Sequence, residues 1–333
     1  MNILLVTPLA YGTSDIPLML TKAFEKDDHK VIIFPTDEQL SPKENAIIRS
    51  SDRWTKEFIY TYSKRILNRT KETKPDLLFI YGSNWAILPE TLQNIKLSTD
   101  TTIILWEGNF QILRGYQIES LRIYDYIFLM DSYLVPLLKG PAGLKDVYYL
   151  AQGCDPEIHR PINLSDEEFI KYSSDVCYLG RGYPNRIKLF EGLLNYDIRL
   201  WGLGWGESDL LRKFYINETV YGLKKSKIYN ASKITLNLQG THIQINGISN
   251  RPFEVLACGG FCISEEKPDL LLHLKPGEEI VTYKNIPDLH QKIEYYLKHE
   301  DERREIAANG RKKVLANRTY QHITKEIIDT ISR

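Results

Sequence analysis

Cysteine is scarce in this chain and scattered. Cys154, Cys177, Cys258 and Cys262 form no CxxC pair, which argues against a disulfide framework and is expected of reduced thiols in a cytoplasmic protein. Charge of one sign is also missing. The 43 basic residues are matched by 43 acidic ones, so the global attraction typical of nucleic-acid and anionic-membrane proteins is absent, and any anion site must be local. No apolar run is long enough to span a bilayer, and the opening MNILLVTPLAYG lacks the basic flank of a signal peptide. It reads as a first buried strand. HExxH, GxSxG, the EF-hand loop and GxxxxGK[ST] are all wanting, and the seven histidines show no metal spacing, so no metal site is expected.

What the chain does have is a globular composition, 43% hydrophobic, over a length that favours two domains of ordinary size. NILLVTP, KVIIFP, DLLFIYG, TTIILWEG, YDYIFLMD and DVYYLAQG are short apolar runs separated by helix-length segments. SDVCYLGRG, DIRLWGLGWG, ETVYG, KITLNLQG, GGFCISEE and EEIVTY form a second such series. This alternation predicts an α/β protein with two doubly wound, Rossmann-like domains of parallel strands. CDPEIHRPINLSDEEF has the composition of a linker, which sets the expected domains at 1–160 and 161–312. Residues 313–333 are expected to pack back on the N-terminal domain, and the tail predicts amphipathic helices broken around Asn309-Gly310. Two such domains would turn the carboxyl ends of both sheets toward one cleft, the usual place for a ligand.

Four short stretches carry candidate chemistry. In YLGRGYPNR, Gly180 and Gly182 let the backbone approach a ligand at a strand-to-helix turn, and Arg181 and Arg186 either converge on a phosphate or lie solvated. In SNRPFEVLACGG, Pro252 fits a first helical turn and places Glu254 within it. That carboxylate is either a helix cap or an acceptor for sugar hydroxyls, with Arg251 beside it for a diphosphate. LWGLGWG offers Trp201 and Gly202 for a base pocket, against a plain core role that the residue type favours. YGTSDIP supplies Gly12, Thr13 and Ser14, either an acceptor-side loop or an ordinary turn; it is not a GxGxxG fingerprint.

From DVCYLGRGYPNR through LWGLGWG, KSKIYNASKITLNLQ, NRPFEVLACGGF and the long PGEEIVTYKNIPDLHQKIEYYLK segment to RTY, the second half resembles the CgeB-like group 1 glycosyltransferases, relatives of the large retaining family 4. PDLLFIYG, IILWEGN and YYLAQGCDPEIHRP resemble N-terminal segments of that family more loosely. The resemblance implies a GT-B fold and a hexosyltransferase with a nucleotide-sugar donor, UDP-linked by expectation, held by the C-terminal domain. On the donor side it implies Gly180, Arg181, Arg186, Trp201, Gly202, Asn250, Arg251, Pro252, Phe253 and Glu254. Glu254 matches the second glutamate of the E-x7-E motif, while Asn246 stands where the first would be, and Arg318 stands where relatives commonly carry His.

The implied mechanism needs no cofactor and no metal. The arginines stabilise the departing diphosphate, and retention of configuration proceeds without a protein nucleophile. Glu107, ending the fourth strand, is a candidate for acceptor orientation or proton transfer, or else a surface acid. Arg186 and Glu254 complete the expected catalytic set. The acceptor, whether glycan, protein or small molecule, is unspecified. Asn246 keeps open a catalytically silent nucleotide-sugar binder that assists a partner transferase. Zero net charge argues against a nucleic-acid substrate, and the absent signal peptide against a secreted sugar-binding protein.

Overall fold

The computed structural model describes residues 1–7, 15–35, 56–82, 87–108, 119–238 and 244–333. They fall into two compact units, Met1–Ala151 with Thr241–Gly247 and Thr324–Arg333, and Gln152–Gly240 with Ile248–Ile323. In the first unit β1 (Asn2–Thr7), β2 (Lys30–Pro35), β3 (Leu77–Tyr81), β4 (Thr102–Glu107), β5 (Tyr126–Leu129) and β6 (Val147–Tyr149) lie in the order β2-β1-β3-β4-β5-β6. Every pairing is parallel. Such strands are covered on both faces, which is why β3 is the uninterrupted apolar run Leu-Leu-Phe-Ile-Tyr with all five residues buried. Among the described residues α1 (Ile16–Lys26), α2 (Lys56–Thr73), α3 (Pro89–Ser98) and α4 (Leu134–Lys139) accompany this sheet. Its core is an aliphatic cluster around Leu4, Ile80, Leu105 and Leu129.

The second unit repeats the plan. Strands β7 (Ser174–Leu179), β8 (Ile198–Trp201), β9 (Tyr215–Ile216), β10 (Ser232–Asn237), β11 (Cys262–Glu265) and β12 (Val281–Tyr283) are ordered β12-β11-β10-β7-β8-β9, again parallel throughout. The strand order reverses between β7 and β10, and the crevice outside their carboxyl ends is where doubly wound sheets bind ligands. The intervening helices are α5 (Asp166–Tyr172), α6 (Pro184–Glu191), α7 (Leu223–Ala231), α8 (Arg251–Ala257) and α9 (Pro268–Leu271), followed by α10 (Ile286–Lys298) and α11 (Glu300–Asn317); α12 (Tyr320–Ile331) begins in this unit, and its residues from Thr324 on belong to the first. Local signals set the starts of two of them. Ser165 and Glu168 form a reciprocal capping box on α5, and the Asn285 side chain accepts from the Asp288 amide at the head of α10.

Three local expectations are corrected. ETVYG is not a strand. The edge strand β9 lies earlier and is two residues long, because β8 offers only Leu200 and Trp201 for pairing before the chain turns at Gly202. The stretch with linker composition is in part interior, since Cys154 bridges to Thr319 and His159 is fully buried, and its last residues begin α5. The tail does not break at Asn309-Gly310 either. Helix α11 runs through both residues, because a residue without a side chain is what lets it close on its neighbours: a Cβ at Gly310 would stand 2.2 Å from the Glu279 carbonyl oxygen and 2.7 Å from Leu256. The breaks fall instead at His299 and Arg318.

Gly310→Ala therefore tests packing against propensity. In an open helix the change stabilises by up to about 1 kcal/mol. Here overpacking is expected to outweigh that gain and cost about 1–3 kcal/mol in urea unfolding, and a gain in stability would contradict the contact.

Candidate functional site

The reversal point of the second sheet is spanned by two arginines. Arg251, the first residue of α8, donates through Nε (3.0 Å) and Nη2 (2.6 Å) to the Leu179 carbonyl that ends β7, and through Nη1 (2.8 Å) to Asn237 Oδ1 at the end of β10. Its planar fork thus ties together the two strands that diverge there. Arg186, in the first turn of α6, donates through Nη1 to the Arg181 carbonyl (3.0 Å) and through Nη2 to the Leu238 carbonyl (3.1 Å). Both guanidinium groups lie over the Tyr178 ring, at 4.6 and 5.3 Å from its centroid. Arg186 is buried, yet its Nε has no acceptor among the described residues, and burial depresses the guanidinium pKa. A buried cation with an idle donor at a switch point is a ready partner for an anion.

Arg181, in contrast, is exposed and extends over the Tyr183 ring. The turns after β7 and β8 lie against each other. Gly202, at φ +120°, packs so closely that a Cβ there would stand 2.5 Å from the Gly180 carbonyl oxygen. The same carbonyl accepts from the Trp205 indole at 2.9 Å, and Trp205 is fully buried. Trp201 is 2% exposed, with Lys224 above its ring, so the indole is a core group.

Glu254 is 2% exposed. Its Oε1 accepts from Lys225 Nζ at 2.7 Å and Asn250 Nδ2 at 2.7 Å, and faces His159 Nε2 at 3.4 Å. The Asp155 amide donates to His159 Nδ1 at 3.1 Å, which leaves Nε2 as the nitrogen that faces the carboxylate. Burial raises the pKa of Glu254, but the ammonium of Lys225, then His159, outweighs burial and holds it below the ordinary value. Among the described residues the carboxylate serves no backbone amide of α8, whose N-cap Asn250 makes no side-chain cap bond. Lys225, His159 and Asn237 escaped sequence reasoning. Lys225 stands in the cationic run GLKKSKIY, and His159 lies in a stretch with linker composition, so neither carried a local signal.

Other candidates stand elsewhere. Pro252 and Phe253 are buried in the first turn of α8. Glu107, the last residue of β4, is nearly buried, with Oε1 accepting from the Gly108 amide at 2.9 Å and its charge adding to burial in raising the Tyr124 pKa. Asn246 lies in the first unit, where its amide donates to Ser132 Oγ at 3.1 Å while buried Asp131 accepts from the backbone of Ile245 (2.6 Å) and Asn246 (3.2 Å). Gly12, Thr13 and Ser14 lie outside the described residues.

Comparison with known proteins bears on this geometry. Residues 186–329, which include Arg186, Arg251 and Glu254, match the family described as "Glycosyl transferase-like". The chain is, over that segment, similar to a glycosyltransferase domain. It is homologous to the spore protein CgeB of Bacillus subtilis (strain 168), 22% identical over 246 residues, 68% of this chain and 74% of that protein. Two solved structures superpose over nearly the whole length. A glycosyltransferase from Rickettsia africae ESF-5 has a TM-score of 0.71 at 12% identity, covering 99% of this chain and 97% of that one. Anabaena Alr3699/HepE, in complex with UDP and glucose, has a TM-score of 0.67 at 12% identity, covering 100% and 99%. The fold is GT-B.

Two measurements check the site's framework. Arg251→Lys keeps a charge but loses the fork, leaving acceptors at Leu179 and Asn237 short of donors, and is expected to cost about 1–3 kcal/mol in chemical unfolding. No loss would mean that the fork does not tie the strands. For Glu254 the sign follows from its lowered pKa: its charge stabilises the fold above the ordinary carboxylate value of 4.5 and that stabilisation is lost as pH falls through the folded value. The stability gap between native chain and Glu254→Gln should accordingly be widest near neutrality and close in acid; a gap independent of pH would refute it.

Proposed function

We propose that the protein moves a hexose from a UDP-linked donor to an acceptor, with retention of configuration and without a metal. The observation that carries this reading is the pair Arg186 and Arg251 at the reversal of the second sheet, with the idle Nε of Arg186 between the β7 and β10 ends. Departure of the sugar leaves negative charge on the nucleoside diphosphate. Guanidinium groups already held by Leu179, Leu238 and Asn237 would meet that charge with little reorganisation. The positive charge comes from the protein, which is the support for metal independence.

Glu254 has one oxygen occupied by Lys225, Asn250 and His159, and its second is left for vicinal hydroxyls such as those of a ribose. A carboxylate accepts two such bonds readily, and the donors on Oε1 keep it ionised and oriented. In a retaining displacement the acceptor attacks from the face the diphosphate leaves, and a leaving-phosphate oxygen takes its proton. Glu107 is the proposed group for orienting the acceptor, and Gly12, Thr13 and Ser14 the proposed acceptor-side loop. The UDP in the HepE structure supports the choice of base. Four buried, unpaired thiols support a cytoplasmic setting, and no helix among the described residues is long and apolar enough to cross a membrane.

A second reading, a silent nucleotide-sugar binder, is favoured by one observation: Asn246, at the place of the first motif glutamate, spends its amide on Ser132. Thermal stability and UDP release over a panel of UDP-, GDP-, ADP- and dTDP-sugars decide between them. A UDP-hexose is expected to stabilise the chain and release UDP equally with and without EDTA. Arg186→Ala should weaken donor binding about tenfold or more, the worth of one charge-assisted hydrogen bond. Binding without UDP release, with acceptors supplied, favours the silent binder, and no stabilisation by any donor sinks both readings.

A further inference from the structure

Tyr178, on β7 just before Leu179, is fully buried, and its hydroxyl has no hydrogen-bond partner among the described residues. The ring alone has ample reason to be there. Its centroid lies 5.6 Å from those of Phe190 and Trp205, and the guanidinium groups of Arg251 and Arg186 lie over it. A phenylalanine would pack in the same way, and a buried hydroxyl without a partner costs free energy, so folding does not account for the oxygen. The surroundings supply a reason. A Cβ built on Gly180, whose φ is +151°, would stand 2.9 Å from Arg251 Nη2 and 3.1 Å from the Tyr178 hydroxyl, so the two groups crowd one side of that glycine. A guanidinium only donates, and offers the phenolic proton no acceptor. Arg186, over the same ring, likewise keeps a buried donor idle, its Nε.

We propose that the Tyr178 hydroxyl is a third donor to the departing diphosphate, reaching one of its oxygens beside Arg186 and Arg251. The inference deepens the donor reading and rests on it. Two idle donors, one from a strand and one from a helix, stand where two cations are already held, and the oxygens of an anion are acceptors that would satisfy both. The hydroxyl has no exposed surface, so a phosphate oxygen reaches it by a shift of the Gly180 turn, where no side chain bars the way. No proton is transferred. The O–H donates a hydrogen bond to an oxygen on which charge gathers as the sugar departs, and its effect grows with that charge.

Tyr178→Phe keeps the ring beneath both arginines and removes the oxygen alone. In chemical unfolding without ligand the variant should be as stable as the native chain or more so, since no hydrogen bond is lost. UDP and inorganic pyrophosphate should bind it about tenfold more weakly, the worth of one hydrogen bond to a charged group, while uridine binds both chains alike. UDP release from a UDP-hexose should slow by at least the same factor. A loss of stability in the variant, whatever its affinity, makes the hydroxyl structural and overturns the proposal. An equal weakening of uridine also overturns it, because the defect would then lie in the base pocket. The donor reading fails separately. If neither UDP nor pyrophosphate protects the native chain, Arg186 and Arg251 hold no diphosphate and both readings fall; native protection retained in full by Tyr178→Phe removes only the role of the hydroxyl.

Discussion

Everything at the reversal of the second sheet depends on the fork of Arg251. Two parallel strands that part company leave carbonyl oxygens at their ends with no ladder partner, and a crevice between them that water would otherwise fill. Arg251 caps the end of β7 at Leu179 and holds the Asn237 amide at the end of β10, while Asn237 itself donates to Ser264 on β11 and accepts from Ser249. One planar cation thereby fixes the spacing of three strands. Arg186 can then reach Leu238 and Arg181 from α6, and the two guanidinium groups share the face of Tyr178 instead of repelling one another into solvent.

The carboxylate of Glu254 is the counterpart of that cationic pair. An ionised acid with so little exposure is costly unless paired and hydrogen-bonded, and here a lysine and an amide donate to one oxygen while an imidazole nitrogen faces it. The arrangement keeps the acid charged and stationary. Stationary charge suits the role proposed for it toward hydroxyls, since a carboxylate free to rotate would lose part of each bond to ordering entropy. His159 contributes from far along the chain, and its ring is held by a backbone amide four residues before it.

Asn246 is held by its surroundings on several sides. Its side chain and the adjacent amides are engaged by Ser132 and the buried Asp131, so that residues 245–247 are held by first-unit contacts although the chain around them belongs to the second. Gly247 allows the close passage, because a Cβ there would stand 2.8 Å from the Met130 carbonyl.

Strand periodicity made most of the architecture legible in advance: eleven of the twelve described strands fall within runs that alternate with helical segments, because strands buried on both faces must be apolar without interruption. The misplaced β9 and the uninterrupted α11 were illegible for a common reason. A short edge strand is defined by what its neighbour offers, and a helical glycine by what the helix packs upon. The candidate donor site divides in the same way. Arg186, Arg251 and Glu254 were visible because they sit in local motifs at strand-to-helix turns, whereas Lys225, His159 and Asn237 carry no signal in their own neighbourhoods. The sequence by itself determined the α/β class, the two parallel sheets and the residues at their carboxyl ends, since these follow from side-chain pattern over a few residues. Only the tertiary structure decided which carbonyls each arginine holds and what keeps Glu254 ionised, because those are distances between residues that the chain keeps far apart.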